Sequence, residues 1–233
     1  MTIEWQHENQ LMVIEIIRRK GQKQMIIKPP IDGIYTMSVP KNASKKVIFK
    51  MLEENANQLL KMPQLQSFEM YLSASETIDL LGNSMPVMTV QSTQNRVTIN
   101  QYLLIETKDN NQRVNTLKAY LKTCMLKQIN VLENKYLHQI NKDISKLNYE
   151  FRYLKNSFGI CKPKRNIIVF NLALVHYPKQ YIDYVYAHEI AHLVHLNHGA
   201  DFYQLLTTLF PNHRAIKRDL NAYHQRFMHR STS

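Results

Sequence analysis

The chain has 233 residues, 44% of them hydrophobic, which suits one large domain or a small domain joined to a medium one and excludes a disordered chain. Its two cysteines, Cys124 and Cys161, make no disulfide framework, and no apolar run approaches the ~18 residues of a membrane-crossing helix. The formal net charge of +12 comes from scattered lysines and arginines, which read first as solvated faces and second as a basic surface open to nucleic acid or nucleotides.

Met12 to Arg19 alternates partly and runs into Arg18-Arg19-Lys20, with Gly21 as a turn. Met25 to Lys28 is a short apolar run that Pro29-Pro30 is expected to stop. Asp32-Gly33 is a hairpin turn signal, and Ile34 to Val39 follows as a strand, giving a small antiparallel sheet. From Ser44, a plausible N-cap, the spacing turns helical, with Val47, Met51, Leu52, Leu59 and Leu60 as the apolar face and Pro63 as its end. Met85–Val90, Arg96–Ile99 and Tyr102–Glu106 predict further strands. No stretch of sequence repeats another.

The polar run Asp109 to Gln112 separates the halves. Arg113 to about Ile140 is the longest helical pattern, with Val114, Leu117, Leu121, Cys124, Met125, Ile129, Leu132, Tyr136 and Ile140 on or near one face. Tyr149–Leu154 and Ile167–Val175 predict two strands, with a turn through Lys162-Pro163-Lys164-Arg165-Asn166. Pro178 suits the first turn of a helix that Asn197 and Gly199 then stop. Helices over about Asp201–Leu209 and Arg214–Phe227 complete the chain. The expected fold class is α+β: a small antiparallel β region with one helix over residues 1–110, then a minimal α+β domain over 111–233 whose key helix packs on a small antiparallel sheet.

That helix carries His188-Glu189-Ile190-Ala191-His192, an H-E-x-x-H sequence. Residues four apart lie one turn up on the same helical face, so two imidazoles reach one ion. Zinc suits neutral imidazole nitrogen. Glu189 sits about 100° round the helix, placed to take a proton from a water rather than to bind the metal. Three protein ligands and an open position make a catalytic site. His195 and His198 compete as third ligand. His195 is roughly 10 Å along a straight helix from His188, too far for one ion. His198 follows Asn197, which tolerates the left-handed conformation that ends helices, so His198 is preferred. His176 and His213 read as loop or surface residues, and Cys161 as a small structural residue.

Tyr181 to Leu193, followed by Asn197-His198 and Phe202-Tyr203, resembles the YgjP-like metallopeptidase family (DUF45), whose members carry Y-V-x-x-H-E-(L/I)-A-H-L, then N-H, then F-W. Ser157-Phe158-Gly159-Ile160-Cys161 resembles its R-W-G-S-C segment, with Ser157, Phe158 and Ile160 departing from it. Asn171 to Leu174 resembles its L-N-x-x-L strand. The resemblance is strong over about residues 150–227. It implies a minimal zincin related to the SprT and WLM peptidases, with His188, His192 and His198 as zinc ligands and Glu189 as the catalytic glutamate.

The leading expectation is therefore a zinc-dependent hydrolase, a metallopeptidase acting on a peptide or protein. The alternatives are a nucleoside triphosphate (UTP) pyrophosphatase, which the resemblance allows, and a nucleic-acid-associated protease. The Ile167–Val175 strand is the expected edge for an extended peptide, with Asn171 and Tyr203 as cleft or packing residues. The opening MTIEWQHENQ has no signal-peptide pattern, so a cytoplasmic location and no membrane partner are expected.

Overall fold

Alternation with period two builds the first strands, β1 (Thr2–His7), β2 (Gln10–Arg19), β3 (Ile26–Ile31) and β4 (Ile34–Pro40). In this computed structural model, which describes residues 1–8, 10–65, 67–140 and 146–229, they form one sheet in the order β1-β2-β4-β3. Met12, Ile14 and Ile16 point to one face with Trp5, Tyr35, Met37 and Val39, all buried. Helix α1 (Lys45–Glu54) starts where Ser44 accepts a hydrogen bond from the Val47 amide, and α2 (Ala56–Leu60) follows after Asn55. Their inward residues are Ile48, Leu52, Ala56 and Leu59, whereas Val47 is 49% exposed. The expected apolar face was thus one position out of phase at its start. A short helix α3 (Phe68–Ala74) comes next.

Pro29-Pro30 does not stop β3. The strand continues to Ile31 across a register shift between Lys28 and Ile31. β3 is the sheet edge, where a residue without an N–H removes no ladder bond.

The next strands, β5 (Thr77–Leu80), β6 (Asn83–Gln91), β7 (Arg96–Ile99) and β8 (Leu103–Thr107), take the order β5-β6-β8-β7. This is the topology of the first sheet again, without any likeness of sequence. In both, two antiparallel hairpins lie side by side, so the second and fourth strands run parallel. The expectation of antiparallel sheets is corrected accordingly. Hairpin turns are local and readable, but the pairing of one hairpin with another is not.

Helix α4 (Arg113–Tyr136) buries Leu117, Leu121, Met125, Ile129 and Tyr136 along one stripe. A three-stranded sheet follows, from β9 (Asn148–Arg152), β10 (Gly159–Lys162) and β11 (Ile167–Asn171), in the order β10-β11-β9. β10 is the antiparallel return between β9 and β11, so those two are parallel and β11 is central. The expected peptide-binding edge is therefore not β11, which has neighbours on both sides; β10 and β9 are the edges. A 3₁₀ turn over Leu172–His176 leads into α5 (Lys179–Val194), α6 (Ala200–Leu209) and α7 (His213–His229). Among the described residues no helix is long and apolar enough to cross a membrane.

The chain forms two compact units. Met1–Tyr71 joins the described residues from His224 on, and Leu72–Tyr223 forms the other. In the first, Phe227 stacks on Phe68 with ring centroids 5.7 Å apart. In the second, α5 is buried on nearly every side, through Ile182, Tyr186, Ile190 and Leu193 among others. A helix apolar all round belongs in a core. Leu81 and Gly82 turn β5 into β6 with φ of 52° and 88°. A Cβ on Gly82 would meet Pro178 Cα at 3.1 Å, so glycine lets this hairpin seat against the start of α5.

His176 is fully buried, not a loop histidine on the surface. Its Nδ1 lies 2.8 Å from the Asp79 carbonyl, which can only accept, so Nδ1 carries the proton and Nε2 accepts from Tyr153 Oη at 3.0 Å. Burial pushes its pKa down to about 4. The unfolded chain takes up this proton near pH 6.5 and the folded one only near 4. The stabilisation is thus present above pH 6.5 and lost as pH falls toward 4, about 2 kcal/mol of it between pH 7 and 5. Denaturant unfolding at the two pH values is expected to show that loss. His176→Gln, which cannot take up a proton in this range, should reduce it by a similar amount; an unchanged pH dependence would place the effect elsewhere.

Candidate metal centre

α5 carries His188, Glu189 and His192 in its last two turns and ends at Val194. His195 is its C-cap, in an extended conformation with φ −121° and ψ 110°. The reversal expected from a left-handed Asn197 is not there, since Asn197 is not among the residues of positive φ. Instead the extended His195 carries the chain off the helix axis, the Gly199 amide bonds the Asn197 carbonyl at 2.8 Å, and α6 begins. That path returns His198 to the helix. One ring nitrogen from each of His188, His192 and His198 lies within 4.8 Å of the others.

The donor set fits a metal ion. The Nε2 atoms of His188 and His198 are 3.2 Å apart. Ligand nitrogens of a tetrahedral zinc site with bonds of ~2.0–2.1 Å lie roughly 3.3 Å apart. His192 Nδ1 is 3.1 Å from the His195 carbonyl, so it carries the proton and Nε2 keeps its lone pair for a ligand role. His195, set aside as a ligand, thus enters through its backbone. Nδ1 of His188 is buried with no hydrogen-bond partner among the described residues, so packing holds that ring. Phe202 supplies much of it, with ring centroids 5.1, 4.5 and 4.7 Å from His188, His192 and His198. Burial first, then the neighbouring rings, lowers His188 to about 3, which keeps the imidazole neutral.

Glu189 faces Gly159 of β10. It is buried, which raises its pKa to about 8, while a hydrogen bond from the Cys161 backbone amide pulls the other way. Gly159 lies directly beneath it. A Cβ at Gly159 would stand 2.5 Å from Glu189 Oε1 and 2.6 Å from its Cγ. The absent side chain is therefore the space the carboxylate occupies. Glu189 and His188 share a cleft of about 200 Å³ with His198, Ser157, Phe158, Tyr184 and Lys217.

Asn171 sets the strand at that height. Its Nδ2 donates to the Leu154 and Ser157 carbonyls, each at 2.9 Å, and its Oδ1 accepts from the Leu154 and Ala173 amides. Its own amide donates to Phe158 O at 2.8 Å. Asn171 is thus a clamp on the loop that enters β10. The loop is held through its backbone carbonyls, contacts that do not involve the side chains of Ser157 and Phe158. Tyr203, 37% exposed, lies beside His198 and stacks on His213. His213 is buried rather than a surface residue, with Nε2 3.2 Å from Thr207 Oγ1.

Reasoning from the residues missed Gly159, the Cys161 amide, Phe202 and Lys217 as parts of this centre. Gly159, Cys161 and Phe202 stood in the family segments, the only signal that marked them.

A helix-borne H-E-x-x-H, a third histidine returned to it beyond the helix end, and a sheet edge beneath the glutamate together have the layout of a metallopeptidase centre. The family model of the YgjP-like metallopeptidase domain matches residues 23–223, and the chain belongs to that family. Among solved structures it is similar to the metallopeptidase zymogen of Methanocaldococcus jannaschii jannalysin, at 19% identity and a TM-score of 0.35, over 43% of this chain and 95% of that one. No curated protein matches it.

Proposed function

We propose that this metallopeptidase-family chain is a zinc-dependent peptidase in which His188, His192 and His198 hold the ion and Glu189 is the general base. The observation that carries the reading is the convergence of three imidazoles within 4.8 Å, beside Glu189 in the same cleft. When bound, zinc would polarise a water and the substrate carbonyl and lower the water's pKa. Glu189 takes the water's proton and later returns it to the leaving amine, held in place by the Cys161 amide. The substrate is a peptide or protein segment. β10 is an edge strand of its sheet, and an extended segment laid along it would bring a carbonyl next to Glu189. Nucleotide and nucleic-acid substrates have less in their favour, because the family is one of peptidases.

Incubating the zinc-loaded protein with an unfolded polypeptide tests this. Cleavage is expected, abolished by a chelator and restored by zinc. Cleavage that survives complete metal removal would contradict the reading, as would cleavage of a nucleoside triphosphate and of no polypeptide.

A further inference from the structure

Two cations on α7 stand beside the centre without a counter-ion. Lys217 lines the cleft that holds His188, Glu189 and His198. It also lines a second hollow, of about 340 Å³, together with Tyr203, His213 and Arg214. Arg214 and Lys217 are three residues apart on one helix, and so share a face. Neither makes an ion pair or a side-chain hydrogen bond with any described residue. Scattered lysines on a basic protein are usually just solvated. Here Lys217 lines both the cleft of the reacting groups and the adjoining hollow, and Arg214 lines that hollow beside it.

Resting on the peptidase reading above, we propose that Arg214 and Lys217 form an anion subsite that binds a substrate carboxylate. The substrates are then polypeptides with an acidic residue, or their own C-terminus, within a few residues of the bond cleaved. Arg214 offers a planar fork that matches a carboxylate, and Lys217 a point charge nearer the histidines. Tyr203 and His213, stacked with ring centroids 5.9 Å apart, give the hollow a flat wall for the carbon chain behind the carboxylate.

The test measures binding and turnover on the same peptides. Fluorescent peptides of one sequence are made with Asp and Glu, with Asn and Gln in their place, and with either C-terminus amidated. Binding to zinc-loaded Glu189→Gln protein is read by anisotropy. The acidic peptide is expected to bind roughly 5- to 30-fold tighter than its amide counterpart, with the advantage shrinking in high salt. Adding R214Q and K217Q should reduce the preference below about twofold, and K217E should turn it toward lysine-bearing peptides. If amidating the C-terminus weakens binding and Asn and Gln do not, the terminal carboxylate is the ligand; if Asn and Gln weaken it and amidation does not, the side chains are. Equal binding of the acidic peptide and of the Asn/Gln peptide with an amidated C-terminus, binding of neither, or a preference that survives R214Q and K217Q overturns the subsite. An acidic preference without any cleavage by the wild-type protein keeps the subsite and overturns the peptidase reading.

Discussion

Glu189→Gln is expected to lower peptide hydrolysis by on the order of 10²–10⁴-fold while the zinc stays bound, the range typical of a lost acid–base group. Glutamine preserves the size of the side chain and its acceptance of the Cys161 amide, but it cannot take a proton. The three histidines are untouched, so metal content should not change. The fold should also persist, since the mutation replaces a buried, desolvated carboxyl by a neutral group. Metal analysis, thermal unfolding and turnover on one preparation separate the outcomes. Full activity with full zinc would mean that another group is the base. Loss of zinc would mean that Glu189 supports the ligands instead.

The second large effect is expected at Gly159, from adding a single methyl group. In Gly159→Ala the new Cβ would lie 2.5 Å from Glu189 Oε1, 2.6 Å from Cγ and 2.7 Å from Cδ. Something has to move, and the carboxylate is the group in contact. Turnover should fall by at least ~10²-fold, because a displacement of about 1 Å from a productive geometry costs that much. Zinc should remain. The informative comparison is the double variant: with Glu189→Gln already present, Gly159→Ala should cost almost nothing more, since both remove the same placed carboxylate. If the two losses multiply instead, Gly159 serves the strand or the substrate rather than Glu189.

Gly159 also shows where reading a sequence stops. The H-E-x-x-H spacing puts two ligands and a base on one helix by the geometry of the helix alone, so most of the centre is legible there. The capped helix at Ser44 and the stripe of α4 are legible for the same reason: their signals are local and periodic. β10 is only four residues long, Gly159 to Lys162, too short for alternation to register. The need for glycine arises only once α5 packs over β10, a contact between segments some thirty residues apart. His176 was misread similarly, because its partners Asp79 and Tyr153 lie on other elements. Pairings between hairpins were out of reach for that reason too, and with them the choice of β10 over β11 as the open edge. For His198 the choice of ligand rested on a left-handed Asn197 that the chain does not adopt; the route observed, an extended His195, is invisible in residue preferences.

The account stands most directly on metal binding by the third histidine. Zinc titration of the wild-type protein, His198→Ala and His195→Ala puts it to the test. One zinc per chain is expected in the wild type. His195→Ala should stay close to it, because His195 serves His192 through a backbone carbonyl that alanine retains. His198→Ala should weaken binding by more than the ~10–100-fold that losing a supporting contact costs. Full zinc affinity in His198→Ala, or its loss in His195→Ala alone, would contradict the three-histidine centre.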